Sequence, residues 1–195
     1  MIFERAKLDG VYKISLEKRG DSRGFFARSF CIDEFSTMNL ETTFVQQNTS
    51  LSHQKNTLRG MHYQLGNSAE VKYIRCFSGA IFDVIIDLRK QSPTYLQYET
   101  FELNEENRLG LYIPKGFAHG YLSISNDALL SYTVSSRYDP DKERGIRWND
   151  PLFAIDWPKE KPSLSEKDSN YQDFDAETRG LDTKFEEEKM VNGVN

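Results

Sequence analysis

Through the middle of the chain, apolar residues recur at every second position. Phe82, Val84, Ile86 and Leu88 form one such run and Leu109, Leu111 and Ile113 another. Leu122 and Ile124, then Leu130, Tyr132 and Val134, continue the pattern. A period of two is that of a β-strand with one face on a core. Turn-forming residues separate the runs, at Ser78-Gly79, Ser92-Pro93, Pro114-Lys115-Gly116 and Asn126-Asp127. Many short strands at this spacing predict a sandwich or barrel of the jelly-roll kind. Residues 33–38 read as a short helix. There is no internal repeat and no interdomain linker, so residues 1–175 are expected to form one domain. From 176 to 195 the sequence is polar and acidic, with Glu186-Glu187-Glu188 inside it, and a frayed helix or disorder is expected there.

Composition sharpens this reading only in places. Aromatic residues are 13% of the 195, which favours sheets, because aromatic side chains suit a pleated, half-buried surface. A formal charge of -5 argues against a general nucleic-acid binder but leaves room for a local basic pocket. The apolar runs are too short to cross a bilayer, and no charged-then-apolar leader opens the chain. Cys31 and Cys76 have neither a paired framework nor metal-ligand spacing. Free thiols and a cytoplasmic protein are expected.

The chemistry begins with polar residues on faces that should be dry. Lys72 shares a face with Ile74 and Cys76, Asp83 with Ile81 and Ile85, and Tyr132 with Leu130 and Val134. Burying an unpaired charge costs roughly several kcal/mol, so such groups line a pocket, pair with one another, or lie on a wet outer face. Periodicity alone leaves the pocket and the wet face open. In a barrel, a lysine, an aspartate and a tyrosine on neighbouring strands could converge on an internal ligand site. Two of the three histidines, His62 and His119, lie in glycine-flanked segments where a backbone can approach a ligand; a structural role for each stays open as well. Pro114-x-Gly116-x-x-His119 looks like the second half of a cupin metal motif. The first half would supply two histidines one residue apart, whereas the chain offers His62 and then Gln64. With a ligand missing from the three or four a transition metal needs, no metal is expected.

Taken in order, longer motifs carry a resemblance. They are Asp21-Ser22-Arg23-Gly24-Phe25-Phe26, Phe44-Val45-Gln46-Gln47-Asn48-Thr49-Ser50, Leu58-Arg59-Gly60-Met61-His62-Tyr63-Gln64, and Asp83-Val84 with Asp87-Leu88-Arg89. Ser92-Pro93-Thr94, Ile113-Pro114-x-Gly116-Phe117-Ala118-His119-Gly120 and Tyr132 with Tyr138-Asp139-Pro140 follow. Trp148-Asn149-Asp150-Pro151, Asp156-Trp157-Pro158 and Leu164-Ser165-x-Lys167-Asp168 close the series. From about residue 8 to 174 the chain resembles the dTDP-4-dehydrorhamnose 3,5-epimerases, metal-free cupin enzymes of deoxysugar biosynthesis. The resemblance implies a mostly β, cupin-type jelly-roll barrel with a few short helices, no cofactor, a nucleotide-sugar substrate and a homodimer with exchanged strands.

The resemblance also implies site residues. His62 is the base, oriented by Asp168; Lys72 stabilises an enolate; Tyr132 is the acid on the far face. Such a set suits the chemistry, because a 4-keto group acidifies the protons on both flanking carbons and epimerisation returns a proton to the opposite face. Arg23, Arg59 and Lys167 match positions around the diphosphate and nucleoside, and arginine forks suit phosphate oxygens. Gln46, Gln47 and Asn48 match the polar segment at the nucleoside. Tyr138 matches the ring stacked on the base, and Phe26, Asp83, His119 and Glu143 match further pocket positions. Two departures stand out. Arg28 occupies the position of a family glutamate that contributes to nucleotide recognition, and a donor cannot replace an acceptor there. Leu96 stands where glycine is common. Strict alternation puts Arg59 and His62 on opposite faces, so a bulge or loop is needed for both to reach one pocket. The rival readings are a single-centre epimerase, an epimerase for a different nucleotide-linked keto sugar, a metal-dependent cupin oxygenase, and a non-catalytic sugar-nucleotide-binding cupin.

Overall fold

The alternating runs become strands of two antiparallel sheets in the computed structural model, which describes residues 1–181. In chain order the first strands are β1 (Ile2–Arg5), β2 (Tyr12–Ser15), β3 (Arg19–Asp21), β4 (Gly24–Phe26), β5 (Gln46–Ser52) and β6 (Leu58–Gln64). They are followed by β7 (Lys72–Ser78), β8 (Ala80–Asp87), β9 (Tyr98–Asn104), β10 (Gly110–Ile113), β11 (Phe117–Ser123), β12 (Ala128–Val134) and β13 (Glu143–Gly145). One sheet has the order β1-β2-β10-β7-β12-β5 and the other β13-β6-β11-β8-β9, while β3 and β4 form a separate hairpin. The short helices are α1 (Ile32–Thr37), α2 (Glu166–Ser169) and α3 (Ala176–Arg179). The fold is a mostly β, cupin-type jelly roll.

The core lies between the inner faces of the sheets. Ile74, Cys76, Leu111, Ile113 and Leu130 from the first meet Ile81, Ile85, Phe101, Leu103, Phe117 and Tyr121 from the second. Lys72, Asp83 and Tyr132 share these inward faces. The outer face of the five-stranded sheet is dry as well: Met61, Tyr63, Val84, Ile86, Ala118 and Leu122 pack under Phe153, Trp157 and Phe174. The Trp-Asn-Asp-Pro and Asp-Trp-Pro motifs build this cover. Trp157 Nε1 donates to the Trp148 carbonyl at 2.7 Å, and the Asp150 carboxylate accepts from the amides of Leu152 and Phe174. On the other sheet α1 covers the outer face by burying Phe35 among Phe3, Phe30, Tyr73 and Tyr112.

Two further motifs serve the fold. Asp87, fully buried, accepts from the Arg89 guanidinium at 2.7–2.8 Å and from the hydroxyls of Ser92 and Thr94 at 2.5 and 2.7 Å. Burial pushes its carboxyl up, but these bonds outweigh burial and hold it below the usual carboxylate range. Leu96 follows with a φ of 62°, the left-handed region that glycine adopts freely, which gives the common glycine at this position a backbone reason. The start of the expected tail docks: the Leu181 amide donates to the Leu88 carbonyl at 2.8 Å, and Ala176 and Leu181 pack on the covered sheet. The rest of the expected tail, with Glu186-Glu187-Glu188, lies outside the described residues.

The bulge that alternation required is present. His62 pairs with His119 and Arg59 with Tyr121, so Gly60 and Met61 oppose the single residue Gly120. The extra residue reverses the pleat, and Arg59 and His62 point into one cavity. Only glycines fit. Gly60 has a φ of 116°, and a Cβ there would stand 2.7 Å from Gly120 Cα and 2.8 Å from the His119 carbonyl oxygen. We expect Gly60→Ala to lower stability by about 1–3 kcal/mol, through overpacking and backbone strain. A thermal melt superposing on that of the native chain would show that the bulge tolerates the methyl group.

Candidate active site

At one end of the jelly roll the inward faces change from apolar to polar. A cavity of about 300 Å³ is lined by Gln46 and Asn48 of β5, His62 and Gln64 of β6, Glu70, Lys72, Tyr132, Tyr138 and Glu143. An adjoining cavity of about 280 Å³ shares His62, Lys72 and Tyr132 and adds Ser50, Arg59, His119, Tyr121, Lys167 and Asp168. The three shared residues stand where the two meet. A larger cavity of about 610 Å³ lies beside them, behind Tyr63, Glu143 and Tyr171. The smaller pair holds the convergent histidine, lysine, tyrosine and carboxylate groups, the arrangement a reactive site requires.

His62 Nε2 lies 2.6 Å from Asp168 Oδ1. Asp168 is delivered by the first turn of α2, where the Ser165 side chain caps the helix by accepting from the Asp168 amide at 3.0 Å. Asp168 is only 4% exposed, and burial favours its neutral form. The hydrogen bond and charge of His62, the Ser165 hydroxyl and the Gly60 amide act in the other direction and hold the carboxyl below its usual range. A carboxylate so held stabilises positive charge on His62. The Tyr171 ring packs edge-on against His62, with centroids 5.8 Å apart. A side chain at Gly145 would collide with that ring at 2.2 Å.

Lys72 Nζ lies 3.1 Å from Glu70 Oε1, and both side chains are almost closed off from solvent. The hydroxyl of half-buried Tyr132 is pushed above its ordinary pKa, chiefly by burial and next by the Glu70 charge. His119 Nε2 lies 2.8 Å from Asp83 Oδ2. Asp83 is fully buried behind His119 and off the cavity wall, so it orients a lining residue. Arg59 faces the cavity and donates to the Leu51 carbonyl at 3.2 Å. Glu143 accepts a hydrogen bond from the Tyr138 hydroxyl at 2.6 Å and pairs with Lys167. Burial acts against its ionisation, but these partners keep its carboxyl below the usual range. The Tyr138 amide donates to Gln46 Oε1 at 2.8 Å, which ties the exposed ring to β5.

Some expected residues are elsewhere. Gln47 is corrected: it lies on the opposite face of β5, donating to Ser131 Oγ at 2.9 Å, because residues 46 and 48 take the inward positions. Arg23 and Phe26 belong to the β3–β4 hairpin, line a separate shallow cavity and stand clear of the chain's own His62. Arg28, just beyond the hairpin, pairs with Glu34 at 3.0 Å. The residue types suggested neither Glu70 nor Ser165 nor Tyr171. Extending the Lys72–Cys76 alternation two residues back reaches Glu70, and Ser165-x-x-Asp168 has the form of a helix cap. Among the described residues, no three His, Cys, Asp or Glu side chains are grouped to hold a metal ion. Nor is any described helix long and apolar enough to cross a membrane.

A jelly roll whose cavity carries a histidine–carboxylate pair, a lysine and a tyrosine is equipped for proton transfer at carbon. A family model described as dTDP-4-dehydrorhamnose 3,5-epimerase matches residues 5–176. The chain is 42% identical over 171 residues to the dTDP-4-dehydrorhamnose 3,5-epimerase of Sinorhizobium fredii, covering 87% of this chain and 88% of that one. To the enzyme of that name from Salmonella typhimurium it is 41% identical, covering 87% and 93%. It is 38% identical over 164 residues to a dTDP-4-dehydrorhamnose 3-epimerase of Streptomyces niveus, covering 84% and 79%. Among solved structures, the Bacillus anthracis 3,5-epimerase with TDP and pyrophosphate bound superposes with a TM-score of 0.86 at 36% identity, covering 89% of this chain and 99% of that one. The Legionella pneumophila enzyme in complex with dTDP-4-keto-L-rhamnose gives 0.84 at 37%, covering 93% and 97%. The chain belongs to the dTDP-4-dehydrorhamnose 3,5-epimerase family and is an isomerase.

The Asp168 environment sets a pH dependence. Its folded pKa is lowered, so the stability it contributes is complete above the unfolded value of about 4 and is lost as pH falls through the folded value. Thermal melts of the native chain and Asp168→Asn between pH 7 and pH 2.5 should differ most near neutrality and converge in acid. A gap independent of pH would mean that ionised Asp168 contributes nothing to stability.

Proposed function

We propose that the chain inverts C3 and C5 of a nucleotide-linked 4-keto-6-deoxyhexose, converting dTDP-4-dehydro-6-deoxyglucose to dTDP-4-dehydrorhamnose. The observation that carries the mechanism is the meeting of His62, Lys72 and Tyr132 where the two cavities join, with Asp168 on the outer nitrogen of His62. At each centre His62 takes the proton beside the ketone, and the electron pair moves onto the carbonyl oxygen. The Lys72 ammonium stabilises the resulting enolate, and Tyr132 returns a proton to the carbon from the other face; between the two centres the imidazolium gives up its proton to solvent and the tyrosinate regains one. Asp168 holds the His62 ring and offsets the charge it gains. No step needs a redox cofactor, because no electrons leave the substrate, and Lys72 fills the charge-stabilising role that a metal ion would otherwise supply.

The remaining residues bind the nucleotide. Arg59 and Lys167 meet the diphosphate, His119 held by Asp83 lines the same wall, and Tyr138 stacks on the base beside Gln46, Asn48 and Glu143. Arg23, Phe26 and Arg28 stand clear of their own cavity, and we assign them to the partner's cavity in a homodimer with exchanged strands. Arg28 is engaged by Glu34 and replaces an acceptor with a donor, so recognition of the base rests on other residues. The free, unpaired Cys31 and Cys76 agree with a reducing, cytoplasmic setting.

A second reading is favoured by the similarity to a 3-epimerase: inversion at one centre only. Incubation with the 4-keto substrate in deuterated water, followed by NMR at both carbons, separates the two. Deuterium and inversion at both C3 and C5 are expected; inversion at C3 alone selects the second reading. His62→Ala should lose about 10²–10⁴-fold in turnover with little change in nucleotide affinity. Native rates in that variant would remove His62 from the mechanism. Tyr132→Phe should still wash solvent deuterium into the substrate while making little inverted product, because the base and Lys72 remain. Normal inversion by Tyr132→Phe would give the acid role to another group.

A further inference from the structure

A cavity that binds a diphosphate and stabilises an enolate gains from positive potential, so a carboxylate on its wall needs an explanation. Of the carboxylates on these walls, Asp168 bonds His62 and Glu143 pairs with Lys167, which leaves Glu70. It precedes β7, lines the cavity beside His62, Lys72 and Tyr132, and its side chain is 12% exposed. Its one close ionic partner among the described residues is Lys72, at 3.1 Å and 13% exposed. The ladder explains why both reach Tyr132: Val134 of β12 pairs with Lys72, and Tyr132, two residues back, points to the same face.

We propose that Glu70 is a positioning residue of the reaction: it pins the Lys72 ammonium to the cavity wall and keeps Tyr132 in its proton-donating form. A lysine is a point charge on a flexible four-carbon stem, and a fixed carboxylate removes much of its freedom before substrate arrives. The same negative charge opposes ionisation of the phenol. Charged and titratable groups face the Tyr132 hydroxyl from the elements around the cavity: Arg59 and His62 of β6, Lys72 of β7 with Glu70 just before it, Tyr121 of β11 and Glu143 of β13. Glu70, Tyr121 of β11 and Glu143 of β13 favour the protonated form, and Arg59 of β6 opposes it. Glu70 has the largest charge effect of the four, after burial itself. The carboxylate thus extends toward alkaline pH the range in which the acid can act.

This inference rests on Tyr132 as the acid, and the test keeps the two apart. Glu70→Gln preserves shape and an acceptor for Lys72 but removes the charge. The alkaline limb of its pH–turnover profile should move down by ~0.5–1 pH unit, so that the rate relative to the native enzyme falls further at high pH than at neutral pH. Glu70→Asp, which keeps the charge, should restore the limb toward the native position. Tyrosinate absorbance gives a direct readout of the phenol. The titration lost on Tyr132→Phe should lie at lower pH in the Glu70→Gln background than in the native one. If Tyr132→Phe abolishes inversion while the limb and the titration in Glu70→Gln coincide with those of the native enzyme, the proposal for Glu70 is wrong and the acid assignment stands. If Tyr132→Phe inverts normally, the acid assignment itself fails, and this proposal with it.

Discussion

The site depends on the close approach of two backbones, Gly60 on β6 and Gly120 on β11. Without the extra residue of the bulge, the pleat of β6 would send Arg59 and His62 to opposite sides of the sheet. One would face the dry layer beneath Trp157 and Phe174, where neither an unpaired guanidinium nor a working imidazole is tolerable. The constraint is steric and local, yet it decides whether the Arg59 guanidinium and the His62 imidazole share a cavity. Met61 fills the outer layer that the reversal leaves open, and Gly60 supplies an amide to Asp168. The irregularity in the ladder therefore serves both the core and the His62–Asp168 pair.

Around it, charge is arranged in pairs. His62 with Asp168, His119 with Asp83, Lys72 with Glu70 and Lys167 with Glu143 each join a cation or imidazole to a carboxylate in or beside the cavity. Pairing makes ionisable groups tolerable in a half-dry space and fixes their direction before substrate enters. Asp87 with Arg89 follows the same logic at a distance from the chemistry, where its only task is to hold a turn.

Much of this was legible in the sequence, for identifiable reasons. Strands with one dry and one wet face alternate visibly, and the shared parity of Lys72, Asp83 and Tyr132 with apolar neighbours could be read, though not whether those faces point to a pocket or to solvent. β11 hides itself because both its faces are covered, so Phe117–Ser123 reads as a motif rather than as an alternating run. The expected helix at 33–38 forms at Ile32–Thr37, shifted by one residue. Alternation demanded a break between Arg59 and His62 but could not say which residue would double up. Gln47 entered only through the motif, and the alternation of β5 places it outward, between inward Gln46 and Asn48. Glu70 lies just before β7, where no alternating run marks its face. The hairpin residues Arg23 and Phe26 could not be placed by periodicity, since their β-ladder touches neither sheet.

The order of the site along the chain has a consequence for biosynthesis. The proposed base is residue 62, but its carboxylate partner arrives on α2 at residue 168, on the same late segment that seals the outer face of the five-stranded sheet. A growing chain on the ribosome can lay down β6, β8 and β11 and still present a sheet with one oily side bare and a histidine without its counter-charge. Completion of the hydrophobic cover and the pairing of His62 with Asp168 therefore become one late event. A prematurely released chain would lack both together, exposing the apolar surface that quality-control machinery recognises while remaining inert toward its substrate.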